Sequence, residues 1–139
     1  MSGIHEFEAR SMVRMATEAR SRAYVPYSKF RVGACLKASS GAYYMGCNIE
    51  NASYSPTNCA ERTAIFKAVS EGYREFAAIG IVGGPGGKPP EDFCAPCGVC
   101  LQVMAEFCRP DFPVYLAKSQ REIRKLRLGE LLPVKFDGL

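Results

Sequence analysis

Two cysteine-bearing segments, 57–62 and 96–100, constrain this chain more than any other feature. Cys97 and Cys100 are three residues apart and follow a proline, which is typical of the first turn of a helix. Thiols at this spacing reach the same side, and the free backbone N–H groups of a helix start favour thiolates. Cys59 offers a third thiol at the start of another predicted helix. We predict that the three cysteines bind one zinc ion.

A carboxylate accompanies these thiols, because Glu61 lies two residues after Cys59. A catalytic zinc site leaves one coordination position to water, and a carboxylate that does not bind the metal can move protons to and from that water. Three thiolates give the site a net negative charge, which Arg62 and the two helix N-termini can offset. A catalytic zinc site is favoured because only that interpretation uses Glu61.

Cys94 allows two other interpretations of the cluster. Cys94, Cys97 and Cys100 are evenly spaced like the start of an iron–sulfur motif, but that motif requires a further cysteine where this chain has Met104. A structural zinc site stays open that uses four cysteines, Cys59, Cys94, Cys97 and Cys100, although it would leave Glu61 without a role.

The composition narrows the possible partners and location. The chain has seven cysteines, and its polar start at 1–6 is not followed by a long apolar run, so we expect free thiols and a cytoplasmic protein. No apolar segment approaches the ~20 residues that span a bilayer, and we expect no membrane partner. Cys35, Cys47 and Cys108 are expected to be small core residues.

The charge distribution argues against a nucleic-acid-binding surface, and the single histidine argues against a metal site built from histidines. The net charge of +4 comes from Lys and Arg spread along the chain, and we interpret the denser run at 121–127 as a solvated strand face rather than a nucleic-acid surface. His5 is the only histidine and has no neighbour at metal-ligand spacing. Any metal site must therefore be built from sulfur and carboxylate.

The order of predicted elements indicates an α/β fold. Apolar residues at helical spacing predict a first helix from Ile4 to Ala23 that includes Phe7 on its apolar face and ends before Pro26. We further expect strands over 31–38, 42–47, 76–82, 113–117 and 123–128, a loop over 83–90, a helix capped by Thr57 or Asn58 that buries Phe66 and ends near Ser70, and a helix from Pro96 to about Phe107. These elements predict a single domain, 1–139, with helices on the faces of a sheet.

The cysteine and glutamate motifs resemble those of the zinc-dependent nucleoside deaminases. Cys-Ala-Glu at 59–61 and Pro-Cys-Gly-Val-Cys at 96–100 carry the resemblance, which extends through 25–30, 46–52 and 130–133 over almost the whole chain. The chain is similar to the small homotetrameric cytidine deaminases. The resemblance implies a three-layer α/β/α sandwich around a five-stranded mixed sheet, with one Zn²⁺ in each subunit.

The resemblance also implies a reaction. Cys59, Cys97 and Cys100 would hold the zinc, which activates a water for attack on C4 of the pyrimidine. Glu61 would protonate N3 and then the departing ammonia. Cytidine and deoxycytidine would be converted to uridine and deoxyuridine, a step of pyrimidine salvage.

Five further residues would contact the nucleoside in the resembling family. Asn48 and Glu50 match the pair that hydrogen-bonds the ribose hydroxyls, and two residues apart on an extended segment they point the same way. Phe30 matches an aromatic that packs against the base, and the backbone N–H of Ala60 would help to hold the base. Phe136 matches an aromatic that reaches the neighbouring subunit's pocket, so the tetramer would share its active sites.

Two positions depart from the family pattern. Arg62 matches the arginine that offsets thiolate charge, but many relatives have a second arginine directly after the last cysteine, where this chain has Leu101. Cys94 is an additional cysteine, and we predict that it is not a zinc ligand.

Three rival functions remain. A blasticidin-type deaminase would share the metal motif, but the ribose-binding pair favours an ordinary nucleoside. A deaminase of polynucleotides would need a basic, aromatic-lined channel, and this short chain has no insertion to build one. A zinc-stabilised interaction module would not need Glu61.

Overall fold

The computed structural model describes residues 3–138, with side chains from His5 onward. Met1, Ser2, Leu139 and the side chain of Ile4 lie outside the described part. In chain order the elements are α1 (Gly3–Arg20), β1 (Phe30–Ala38), β2 (Tyr43–Cys47), α2 (Ala60–Ser70), β3 (Phe76–Pro85), α3 (Gly98–Phe107), β4 (Pro113–Ser119), β5 (Glu122–Arg127) and α4 (Leu128–Leu131).

The five strands form one mixed sheet in the order β2-β1-β3-β4-β5. β1 pairs antiparallel with β2 and with β3, β3 pairs parallel with β4, and β4 pairs antiparallel with β5. A parallel pair needs a crossover connection, and α3 provides it between β3 and β4. The predicted five-stranded mixed sheet is confirmed.

Helices cover both faces of the sheet. Successive residues of a strand point to opposite faces, so neighbouring residues of β1 pack against different helices. On one face, Cys35 packs with Met12 and Val13 of α1. On the other face, Leu36 belongs to a larger cluster with residues of α2 and α3, including Ile65 and Met104. The molecule is therefore an α/β/α sandwich, as predicted, and α2 and α3 share the face on which their N-termini can meet.

The first helix differs from the prediction at its end and on its surface. It ends at Arg20 rather than at Ala23, because the hydrogen-bond pattern changes there to a tighter turn. The N–H groups of Ser21 and Arg22 donate to carbonyls three residues back rather than four. The chain then extends so that Tyr24 can pair with another segment. Phe7 was expected on the buried face, but it is 73% exposed.

The third strand is longer than predicted, and this has a packing reason. β3 continues to Pro85 and includes part of the expected loop at 83–90. A Cβ on Gly83 would lie 2.7 Å from the Sγ of Cys94, so glycine serves close packing here rather than a turn.

The prediction that Phe66 is buried was also wrong, since its side chain is 48% exposed.

Within residues 3–138, none of the helices has the length and apolar character required to cross a membrane.

Candidate active site

Two helix starts bring the predicted thiols together. α2 and α3 begin at Ala60 and Gly98, and their N-cap residues are Cys59 and Cys97, each with an extended backbone and without a side-chain cap hydrogen bond. The predicted cap at Thr57 or Asn58 is wrong by one or two positions. The physical reason is that Asn58 is held in an extended bridge, so the first helical residue comes later.

The sulfur atoms of Cys59, Cys97 and Cys100 form a compact triangle. All three Sγ atoms lie within 4.8 Å of one another, and those of Cys59 and Cys97 are 3.7 Å apart. Tetrahedral coordination with Zn–S bonds of about 2.3 Å places sulfurs about 3.8 Å apart. The donor atoms and their spacing fit a zinc ion. Among the described residues Cys94 does not belong to this group, which disfavours the four-cysteine structural site.

The electrostatics of the cluster favour an anionic sulfur at Cys59. Hydrogen bonding with Cys100 lowers the pKa of Cys59 to about 5 despite partial burial, and Arg62 contributes by donating from Nη2 to the Cys59 Sγ at 3.3 Å. The pKa of Cys100 is raised by its hydrogen bond with Cys59 and by burial. The surroundings of Cys59 therefore favour the thiolate form of this sulfur.

Glu61 is the one buried charged residue among the described side chains, with 4% of its surface exposed. Burial raises the pKa of Glu61 to about 7, although its backbone N–H favours the ionised form. A carboxyl group in this range can both accept and release a proton near neutral pH. Its place in the first turn of α2 puts it beside the sulfur cluster.

The predicted ribose-binding residues are both held by hydrogen bonds, Asn48 to the start of β1 and Glu50 to the segment between α1 and β1. Asn48 accepts the Val32 N–H at Oδ1 and donates from Nδ2 to the Phe30 carbonyl, both at 2.9 Å. Glu50 accepts the N–H groups of Tyr27 and Ser28 at Oε1, both at 3.1 Å. Hydrogen bonds, with that of the Ser28 hydroxyl first, lower the pKa of Glu50. Both side chains are thus held in place, and Glu50 is kept ionised.

An open pocket of about 600 Å³ lies beside these groups. Its wall includes Glu50 and Arg62, but neither Glu61 nor the three cysteines of the sulfur triangle. Phe30 and Asn48 are not part of this wall, although both lie in the segments that support it. A larger opening of about 960 Å³ lies between α1 and residues 87–90 and contains none of the predicted site residues.

Phe136 lies apart from the pocket of its own chain. Its side chain is 65% exposed, and its backbone is fixed to α3 by Gln102, whose Nε2 donates to the Phe136 carbonyl at 3.0 Å. Sequence reasoning missed Gln102, and it also missed Tyr54, a pocket residue that is 83% exposed and has a positive φ of 59°. The position of Tyr54 in a polar loop predicted neither its place in the pocket wall nor its positive φ.

The fold and the site define a class: an α/β/α protein with three cysteines at two helix N-termini that could hold a metal ion, and with a buried glutamate in the first turn of one of these helices. Residues 7–116 match the family described as the cytidine and deoxycytidylate deaminase zinc-binding region. The chain belongs to this family, and its cofactor is Zn²⁺.

Proteins named cytidine deaminase are similar over nearly the full length of the chain. The enzyme of Sporosarcina psychrophila is 49% identical over 93% of this chain and 91% of its own length. That of Halalkalibacterium halodurans is also 49% identical, over 93% of this chain and 94% of its own length. The crystal structure of cytidine deaminase from Burkholderia pseudomallei superposes with a TM-score of 0.82 and 47% identity, covering 91% of this chain and 97% of that chain.

Proposed function

We propose that this protein is a cytidine deaminase that converts cytidine and deoxycytidine to uridine and deoxyuridine, releasing ammonia, in pyrimidine salvage. The single observation that carries the proposal is the buried Glu61 beside a triangle of three sulfurs whose spacing fits a zinc ion. The names of relatives that are 49% identical support the choice of substrate.

Four residues would build the reaction centre. Cys59, Cys97 and Cys100 would hold the zinc, which supplies Lewis acidity that makes a water molecule in the site more acidic. Glu61 takes the proton of that water and delivers it to N3 of the pyrimidine. A C–O bond forms at C4, and Glu61 then takes the remaining proton of the new hydroxyl group and passes it to the exocyclic amine. The C–N bond breaks, ammonia leaves, and C4 keeps a carbonyl oxygen. The pKa of Glu61, about 7, suits both directions of transfer.

Base and sugar would be held by different elements. The N–H of Ala60, at the first position of α2, has no partner within its own helix and can donate to the base, against which Phe30 packs. Asn48 and Glu50 would bind the ribose hydroxyls: Nδ2 of Asn48 keeps a second hydrogen, and the bonds from Tyr27 and Ser28 use Oε1 of Glu50 rather than Oε2. This pair favours an ordinary nucleoside over a blasticidin-type substrate.

We further propose a homotetramer whose active sites are shared between subunits, each chain forming a single domain over 1–139. Exposed aromatic side chains beside the pocket, Tyr27 and Tyr54, support an interface there. Phe136 is exposed but fixed to α3, as a group donated to a neighbour would need to be. A cytoplasmic location is part of the proposal and is supported by seven free thiols.

The decisive experiment replaces the carboxylate and keeps its shape. Glu61→Gln should retain zinc but lose cytidine turnover by about 100-fold or more, because the proton carrier is gone. Turnover is followed by the loss of ultraviolet absorbance on deamination. Glu106→Gln, an exposed change in α3, is the matched control and should keep wild-type activity.

Two outcomes would overturn the proposal. Undiminished turnover in Glu61→Gln would exclude the mechanism, and the absence of cytidine turnover in the wild-type protein with full zinc would favour a zinc-stabilised interaction module. A polynucleotide deaminase is tested separately, since excess single-stranded DNA should leave cytidine turnover unchanged.

A further inference from the structure

The hydroxyl of Thr63 connects three separate parts of the site. Thr63 lies in the first turn of α2, and its Oγ1 is within hydrogen-bond distance of the Cys47 carbonyl at 3.0 Å and the Cys59 carbonyl at 3.2 Å. The same oxygen accepts a hydrogen bond from the side-chain amide of Asn58 at 3.1 Å. Three parts of the chain therefore meet at the Thr63 side chain: the end of β2, Asn58 directly before Cys59, and the helix that carries Glu61.

The backbone beside this hydroxyl links the ribose-binding segment to the metal-binding segment. Ile49 and Asn58 form a bridge in which each N–H donates to the other's carbonyl at 2.9 Å. Asn48 and Glu50 flank Ile49, and Asn58 is followed directly by Cys59. One bridged pair thus fixes the distance between the residues that would read ribose and the residues that would perform the chemistry.

The end of β2 also packs directly on the start of α2. A Cβ on Gly46 would lie 2.6 Å from the backbone nitrogen of Ala64 and would also overlap the Ala60 carbonyl oxygen. The helix start can therefore not move toward the strand, and the hydroxyl of Thr63 holds it from moving away. The hydrogen bond from the side-chain amide of Asn58 to Thr63 Oγ1 then joins α2 to the bridged pair of Ile49 and Asn58.

We propose that Asn58 and Thr63 form a positioning pair that holds residues 48–50 in register with Glu61, so that deamination depends on the ribose hydroxyls. This inference rests on the proposed function, since it concerns the same reaction. The pair would touch neither base nor sugar. It would act by making ribose binding place C4 of the pyrimidine correctly, and small misplacements of a reacting atom reduce rates strongly.

The test compares two substrates that differ only in the sugar hydroxyls. Cytidine and 2′,3′-dideoxycytidine are assayed with the wild-type protein and with Thr63→Val, which keeps the side-chain shape and removes the hydroxyl. The ratio of kcat/KM for cytidine to that for the dideoxy compound should fall about tenfold in the variant. Thr63→Ser keeps the hydroxyl and should restore the ratio.

A second readout does not depend on turnover. The ratio of the dissociation constant of 2′,3′-dideoxyuridine to that of uridine should fall as well, while zinc content stays at one per chain. Asn58→Ala removes the other partner of the hydrogen bond and should lower both ratios without an additional effect in the double variant. Asn58→Ala also tests the inference if Thr63→Val does not fold.

The matched control is Thr17→Val in α1, where the hydroxyl likewise donates to a carbonyl four residues back, that of Val13, at 2.8 Å. Its ratio should equal the wild-type value. An equal loss of activity on both substrates in Thr63→Val and Asn58→Ala would overturn the inference and indicate a merely structural role, as would unchanged ratios. If the wild-type protein did not deaminate cytidine, the proposed function itself would fail, so the two failures are distinguishable.

Discussion

The guanidinium of Arg62 contacts the sulfur of Cys59, with Nη2 and Sγ 3.3 Å apart, while its Nε is buried and has no hydrogen-bond partner among the described residues. Leu101, which directly follows Cys100, is 8% exposed and packs in the apolar core. Arg62 is thus the guanidinium that the described structure places on the sulfur of Cys59, and its charge offsets negative charge in the sulfur triangle.

Replacing Arg62 should therefore weaken the zinc site. Arg62→Gln removes a charged hydrogen bond to a ligand, and such changes reduce metal affinity or activity about 10- to 100-fold. Zinc release to a chelator and cytidine turnover measure the two effects. Arg74→Gln, in which the lost partners are the Val69 and Tyr73 carbonyls, is the control; an equal effect there would contradict a specific role for Arg62.

Cys94 should be dispensable for zinc binding. It lies outside the sulfur triangle, and burial raises the pKa of its thiol to about 11, so it is protonated at neutral pH. Cys94→Ala is expected to bind one zinc per chain, whereas Cys100→Ala should lose it. Zinc analysis of the purified proteins checks both; zinc loss in Cys94→Ala would reinstate the four-cysteine site.

Gly46 should not tolerate a side chain. The added methyl group of Gly46→Ala would meet backbone atoms of the first turn of α2, which cannot rotate away, and we expect a loss of about 3 kcal/mol in the free energy of unfolding. Gly80→Ala is the matched strand control, because its Cβ would make an ordinary contact at 3.6 Å from Met12. Denaturant unfolding distinguishes them, and equal midpoints would show that α2 can shift.

Shared active sites predict complementation between two inactive proteins. Glu61→Gln lacks the proton carrier but keeps the donated Phe136, whereas Phe136→Ala lacks only the donated ring. Mixed tetramers, formed by dissociation and reassociation, should contain some sites with both groups and recover turnover above the sum of the separate proteins. No recovery, with mixed oligomers demonstrated by mass spectrometry, would contradict a site shared through Phe136.

Most of the fold and the cluster of three cysteine sulfurs could be predicted from the sequence, because their signals are local. Apolar periodicity gave the helices and strands, and the spacing of Cys97 and Cys100 indicated a common direction for their sulfurs. The errors have non-local causes. Phe7 and Phe66 have the spacing of buried residues, yet what covers a helix face depends on its neighbours.

The parts of the site that escaped prediction depend on contacts between distant segments. Asn58 looked like a helix cap because its type is typical of caps, but its backbone is used by Ile49 and its amide by Thr63. Gly83 looked like a loop residue, although Cys94 is what requires it. In both cases the residue type was informative, and the partner that gives it meaning is remote in sequence.

The cysteine caps of α2 and α3 have a thermodynamic consequence. A serine, threonine, aspartate or asparagine at an N-cap stabilises a helix by about 1 kcal/mol, and both helices forgo this with Cys59 and Cys97. If zinc joins Cys59 and Cys97 as proposed, its binding would stabilise these first turns in place of the missing caps. Zinc uptake and the ordering of the two helix ends would then be linked, so the amide hydrogens of these turns should exchange with solvent at a rate set by zinc occupancy.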